Sequence, residues 1–239
     1  MDLGRAFSYV FDDPKWFRKI LLAAFVTVVP AVGPIILVGW LLDTLRNIRA
    51  GQPHPIPEWS GDELARWLGR GVAATVTMAA WIVPCMLVLG IIFACGSFGL
   101  QMLGIGAIGA ASSARDVTDL AAGLSTASLL VSCCFLCLMI LCILIVALGS
   151  IVPYIRFAAT DRIDVGLDYR TNFSLLFSNI GPFLVVVVVG LIAAIVLVIV
   201  NTLTCGLGWF VTPTYLGLVF MHLYSGLAQL IDRASPAAA

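Results

Sequence analysis

The sequence predicts an all-α fold: a polytopic membrane helix bundle with four full transmembrane helices plus an N-terminal re-entrant helical hairpin. Three observations carry this expectation. Of 239 residues, 61% are hydrophobic and 11% charged, with a mean hydropathy of +1.08. A soluble domain carries about 25% charged and about 45–50% apolar residues, so this chain lacks the polar side chains to cover a water-facing surface. Four apolar stretches free of Asp, Glu, Lys and Arg, at 72–95, 128–151, 183–200 and 207–230, are long enough to cross the bilayer, which takes roughly 20 residues for about 30 Å of hydrocarbon. The basic residues, finally, sort by side of the membrane when the first apolar stretch turns back.

That first stretch covers 20–42 and is interrupted by Pro30-Ala31-Val32-Gly33-Pro34. Each half, 20–29 and 35–42, reaches only about 15 Å at 1.5 Å per residue. Pro30 and Pro34 remove backbone donors, and Gly33 is expected to let the chain reverse. A kinked spanning helix is the alternative. If the stretch spans, the basic residues divide eight against five; if it dips and returns, twelve share a side with both termini, leaving Arg115 alone on the other. Because Lys and Arg concentrate on the cytoplasmic side, the second arrangement is expected, with N-terminus and C-terminus both cytoplasmic. The early Lys15, Arg18 and Lys19 before an apolar run look superficially like a signal peptide, but no small-residue cleavage site follows, so the segment is expected to be retained.

One membrane domain over 1–239 is expected: 1–19 cytoplasmic, 20–42 the hairpin, 43–71 a cytoplasmic connector, 72–231 the bundle. The connector opens with an extended Pro-rich piece, Gly51 to Pro57. Ser60-Gly61-Asp62-Glu63 has the form of a capping box. A short interfacial helix should follow and feed the second stretch. Trp16, Trp59 and Trp67 are candidate anchors at the headgroup level. The Gly-rich tail 96–111 is expected along the outer interface or folded back, and 112–126 as a polar loop. The connector 156–179 and a tight turn at 201–206 separate the remaining spans, and 232–239 should fray.

Several segments carry a family likeness. They are Phe7-Ser8-Tyr9-Val10-Phe11-Asp12-Asp13-Pro14-Lys15-Trp16, the Pro30–Pro34 break, Pro57-Glu58-Trp59, residues 171–183, and His222-Leu223-Tyr224. Together they resemble domain-of-unknown-function family 4013, a group of prokaryotic polytopic membrane proteins. The resemblance covers most of the chain. It implies a bacterial or archaeal plasma (inner) membrane and brings no activity and no catalytic residues.

The chemistry on view is sparse. Acidic and basic residues balance at 13 each, so nothing points to nucleic acid. Phosphate-binding Gly loops and HExxH are missing, and there are two His, His54 and His222. Neither a metal nor a cofactor is expected. The seven Cys lie in apolar segments; Cys133 and Cys137 share a helix face, but no charge flanks them, so they read as small packing residues. The four spans hold no carboxylate, Lys or Arg, which argues against ion-coupled transport. On the last span Thr214, Leu218, His222, Ser225 and Gln229 recur at helical spacing. They read as a polar helix–helix seam, with the lining of a wet cavity as the alternative. On the fourth span Gly190 and Ala194 are spaced for close helix contact. The expected partners are the lipid bilayer and another membrane protein or a second copy. The function is therefore read as a non-catalytic scaffold or accessory subunit, with a passive conduit or carrier for a lipid or small neutral solute as the alternative.

Overall fold

The computed structural model describes residues 3–110, 114–206 and 208–234. It contains α1 (Leu3–Ser8), a 3-10 turn (Tyr9–Asp12), α2 (Trp16–Thr27), α3 (Val32–Arg49), α4 (Gly61–Ala110), α5 (Ala114–Thr160), α6 (Ile163–Leu167), α7 (Tyr169–Ser178), α8 (Ile180–Leu203) and α9 (Gly208–Ala234). Every regular element among the described residues is helical. Four helices are long and apolar enough to cross a membrane, over Gly61–Gly99, Ser128–Thr160, Ile180–Leu203 and Gly208–Asp232.

The helices overrun the boundaries expected from hydropathy. The interfacial helix and the second span are one helix, α4, which also absorbs the Gly-rich stretch as far as Ala110. Most of the expected loop 112–126 is helical from Ala114 onward; Ala111, Ser112 and Ser113 lie outside the described residues. Glycine weakens a helix by only about 1 kcal/mol per residue, and in an apolar setting the backbone satisfies itself most readily as helix. The expected fraying of the C-terminus falls largely on 235–239, outside the described residues.

By its contacts the chain forms two compact units, residues 1–80 with 148–239, and 81–147. In the smaller unit the outer parts of α4 and α5 meet through Phe93 and Phe135, whose ring centroids are 4.1 Å apart. Ile91, Phe98, Leu129 and Leu136 are exposed, and so are Cys133, Cys134 and Cys137, which therefore do not fill a helix seam.

The larger unit is built around α9, which packs against α1, α2, α3 and α8. One cluster joins Trp40, Leu42, Leu45, Trp67, Phe157 and Leu218; a second joins Val152, Ile155, Phe183, Val186, Leu223 and Leu227. On α8 the buried small residue is Ala193; Ala194 is exposed, while Gly190 faces the ring of Phe220.

α2 and α3 form an antiparallel hairpin. The Trp59 indole donates to the Lys19 carbonyl at 3.0 Å and the Trp40 indole to the Pro57 carbonyl at 3.2 Å, so both arms meet the same connector. The turn differs in detail from expectation. The positive φ, 64°, falls on Ala31, with ψ −52°. The Val32 N–H donates to the Pro30 carbonyl at 2.8 Å, closing a γ-turn. Gly33 serves instead for close approach, since a methyl group there would collide with the backbone of Val26 and Thr27. Pro34 sits in the first turn of α3, where its missing N–H costs nothing. The second arm is also longer than expected: α3 runs to Arg49, about 27 Å at 1.5 Å per residue. It carries Asp43 and Arg46 inside the helix because both have partners.

Candidate functional site

Asp43 is almost fully buried. Its Oδ2 accepts from the Trp67 indole and from Arg66, each at 2.7 Å, and its Oδ1 pairs with Arg70. Arg70 also reaches Asp161 at 3.0 Å, and Asp161 pairs with Arg46 at 2.6 Å. Arg49 meets Asp232 at 2.8 Å. The lower half of α3 is thus tied to α4, to the end of α5 and to α9. A methyl at Gly39 would strike the Trp67 carbonyl, and one at Gly71 the Ile35 carbonyl, so α3 and α4 cross with their backbones touching.

The candidate anchor residues pack within this network. Trp67 is fully buried, between Asp43 and the Trp59 ring at 5.0 Å. Trp59 is half-buried and stacked on Trp40 at 5.4 Å. Both hold protein together, their indole N–H groups donating to carbonyl and carboxylate partners. Trp16 is half-buried, edge-on to Phe11 at 4.9 Å. Nor does Ser60 act through its side chain: the Glu63 N–H donates to the Ser60 backbone carbonyl at 3.3 Å, and the Glu63 carboxylate turns to Arg66 at 2.6 Å.

A second set of contacts fixes the N-terminal segment onto α9. Tyr9 donates to the Leu218 carbonyl and Tyr215 to the Phe7 carbonyl, both at 2.8 Å. Burial, with Tyr215 adding to it, raises the Tyr9 pKa far above its ordinary value, so the phenol stays a neutral donor. Lys19, buried, reaches Asp13 at 2.6 Å and the Ile56 carbonyl at 2.5 Å. Asn47 donates to the Pro55 carbonyl at 2.9 Å. The Pro-rich connector is therefore held at successive residues.

Between these fixed pieces lies an open cavity of about 400 Å³. Its walls come from three distant parts of the chain: Arg5, Tyr9 and Asp12; Ile48, Gly51, Gln52, Pro53 and Pro55; and His222, Ser225 and Gln229 on α9. The polar face expected on α9 accordingly divides. Thr214 is fully buried in helix packing. His222, half-buried, Ser225 and the exposed Gln229 line the cavity. The His222 ring lies against Tyr9, centroids 5.0 Å apart and planes at 30°. The Ser225 hydroxyl donates to the His222 backbone carbonyl at 2.7 Å, so its proton is not directed at the imidazole. Arg5 and Gln52 had no periodic or motif signal to mark them, and Asp12 lies in the aromatic N-terminal motif with nothing to mark it as a cavity residue. The stapling role of Tyr9 was equally invisible, although it lies in the aromatic N-terminal motif.

A separate groove of about 510 Å³ lies between α8 and α9 beside Phe7, walled by Val189, Ile192, Val196 and Val211. Its lining is almost wholly apolar.

Four apolar membrane-length helices, a helical hairpin and a cavity walled by polar side chains define a multi-pass helical membrane protein. The chain belongs to the family described as protein of unknown function, DUF4013, which matches residues 22–206. No curated protein and no solved structure matches it.

Proposed function

We propose that the protein is a non-catalytic scaffold or accessory subunit of a membrane complex, in a bacterial or archaeal plasma membrane. One observation carries this reading: α4 and α5 are apolar for longer than a bilayer is thick. No charged residue interrupts 72–110 or 120–155, and both stretches are helical. At 1.5 Å per residue they run about 58 and about 54 Å, against about 30 Å of hydrocarbon. Tilting does not absorb the difference. At about 40°, the upper end of observed tilts, 58 Å still projects as about 44 Å. A remainder of apolar helix then stands outside the hydrocarbon, and a protein surface is the natural cover for it. A second copy of the chain or a different membrane protein fits.

Native extraction tests this. The tagged protein, released from its own membrane in a mild detergent, should run as a stoichiometric complex after crosslinking and size-exclusion with light scattering. Charged substitutions at exposed Ile91 and Leu129 should break that complex while leaving the monomer folded. A lone monomer from native membrane would sink the scaffold reading. It would move forward the second reading, a carrier of a small neutral solute or lipid, which the polar cavity favours.

The exposed surface of the hairpin supports a re-entrant placement. Phe25, Val28, Val29 and Val32, around its tip, are all exposed and apolar. An exposed apolar tip of this kind is more stable in hydrocarbon than in water.

A further inference from the structure

We propose that the outer face of α2 binds one phospholipid of the cytoplasmic leaflet carrying a single net negative charge, with its phosphodiester at Arg18 and one acyl chain in the groove between α2 and α9. The proposal rests on the re-entrant placement of the hairpin and is independent of the scaffold reading. The first observation is a stripe. Arg18, Leu21, Phe25 and Val28 follow one another at i, i+3, i+7 and i+10, the spacing of a single helix face. All four are exposed. Arg18 stands at the start, and the other three are apolar. From Arg18 to Val28 is about 15 Å at 1.5 Å per residue, half of the roughly 30 Å of hydrocarbon. A basic group followed by one leaflet's depth of apolar surface matches the layout of a phospholipid.

The groove sets the shape of the guest. Leu21, Ala24, Phe25 and Val28 of α2, with Phe210 and Val211 of α9, line about 220 Å³ and put no polar side chain into it. It extends over about 10 Å of α2, so its section is about 20 Å². That admits one hydrocarbon chain and excludes a partner helix, which is about 10–12 Å across. Charge sets the sign of the headgroup. α2 holds no carboxylate. At its N-terminal end Lys15, Arg18, Lys19 and Glu58 line one small cleft. Lys15 is matched by Glu58 at 2.7 Å and Lys19 by Asp13 at 2.6 Å. Arg18 forms no ion pair among the described residues, which leaves the cleft one positive charge in excess. Water solvates Arg18 when no lipid is bound; the selectivity comes from the attraction gained when a phosphate lies beside its donor fork. The cytoplasmic leaflet supplies anionic headgroups, and a single excess charge matches a headgroup with one.

Native mass spectrometry of the full chain, delipidated in a neutral detergent, tests this with dioleoyl-phosphatidylglycerol and dioleoyl-phosphatidylethanolamine, which share their chains and differ in net charge. The first phosphatidylglycerol should bind saturably and about fivefold or more tightly than phosphatidylethanolamine, the worth of one basic residue at an anionic membrane surface. Arg18→Gln should abolish that preference, and Arg18→Lys should retain most of it. Glu58→Gln, which releases Lys15 into the same cleft, should strengthen phosphatidylglycerol binding. Leu21→Trp, which fills the groove, should weaken both lipids. Arg162→Gln, at an exposed arginine elsewhere, should change neither. An unchanged melting temperature without added lipid verifies that each variant is folded. Equal affinity for the two lipids, non-saturating uptake of annular lipid only, or the same loss of preference in Arg18→Gln and Arg162→Gln would each overturn the proposal. So would a photo-crosslinker at Phe25 that captures a protein chain in native membrane instead of lipid. Micelles have no sides, so these results stand apart from failure of the re-entrant placement, which labelling of Gln52 from outside would show.

Discussion

Asp43 sits in the lower half of α3 with its carboxylate withdrawn from solvent, and three donors from α4 converge on it. Removing one member of a buried ion pair costs about 3–5 kcal/mol because the partner charge is left uncompensated. Here Arg66 is half exposed and keeps Glu63, and Arg70 keeps Asp161, so solvent and second partners soften the loss. Asp43→Asn should therefore cost about 2–3 kcal/mol, seen as a lower melting temperature in detergent. Asp164→Asn breaks a fully exposed pair with Arg162 and should leave melting unchanged. Equal melting of the two variants would refute the buried-network account. Asp168 offers a pH test. It caps α7 by accepting from the Thr171 N–H at 3.2 Å. The Thr171 side chain first and its backbone N–H second, with help from Arg156 and Arg170, hold its pKa below the ordinary carboxylate value. A carboxylate depressed in the folded state stabilises above its unfolded pKa and loses that contribution as pH falls through the folded one. The acid-side decline in melting temperature should therefore be shallower in Asp168→Asn, which cannot titrate. These contacts were not legible in advance. Asp43 and Arg46 looked like the start of a loop, since charge in a hydropathy profile marks the end of a span and says nothing of partners that arrive from distant parts of the chain.

At the scale of the elements, the hairpin was legible and its turn was not. Two prolines and a glycine announced a break, but which residue takes the positive φ depends on how α2 and α3 close on one another. Gly33 is consumed by that closure, and the strained conformation falls on Ala31. Such backbone strain costs about 1–3 kcal/mol in a residue with a Cβ. Ala31→Gly should stabilise the protein by about 1 kcal/mol after the added flexibility of the unfolded chain is counted. Where α3 crosses α4 the opposite holds. Gly39→Leu must force the helices apart at the Trp67 carbonyl and should cost about 3 kcal/mol or more, whereas Gly69→Ala on α4 meets open space and should be tolerated. Similar melting of Gly39→Leu and wild type would mean the crossing is not held this closely. The cavity was illegible for a further reason: three short segments far apart in sequence make its walls, and only the α9 residues lie on one periodic face.

At the scale of the whole molecule, the orientation we propose rests on charge and on the number of crossings. Four crossing helices, an even number, return the chain to its starting side, and a hairpin that reverses adds none. On that proposal both termini and the connector after α3 share a side with twelve of the thirteen basic residues. A spanning first stretch would instead put the N-terminus across the membrane from the connector. The antiparallel packing of α2 and α3 onto 56–59 supports the first arrangement. Single cysteines at Ser8, Gln52, Ser113 and Ser235, in a background without the seven native ones, distinguish the two. With a membrane-impermeant maleimide added outside intact cells, the Ser113 site alone should react, and lysis should expose the other three. Labelling of Gln52 from outside while Ser8 stays protected would mean that the first apolar stretch crosses the membrane, and the re-entrant placement would have to be abandoned.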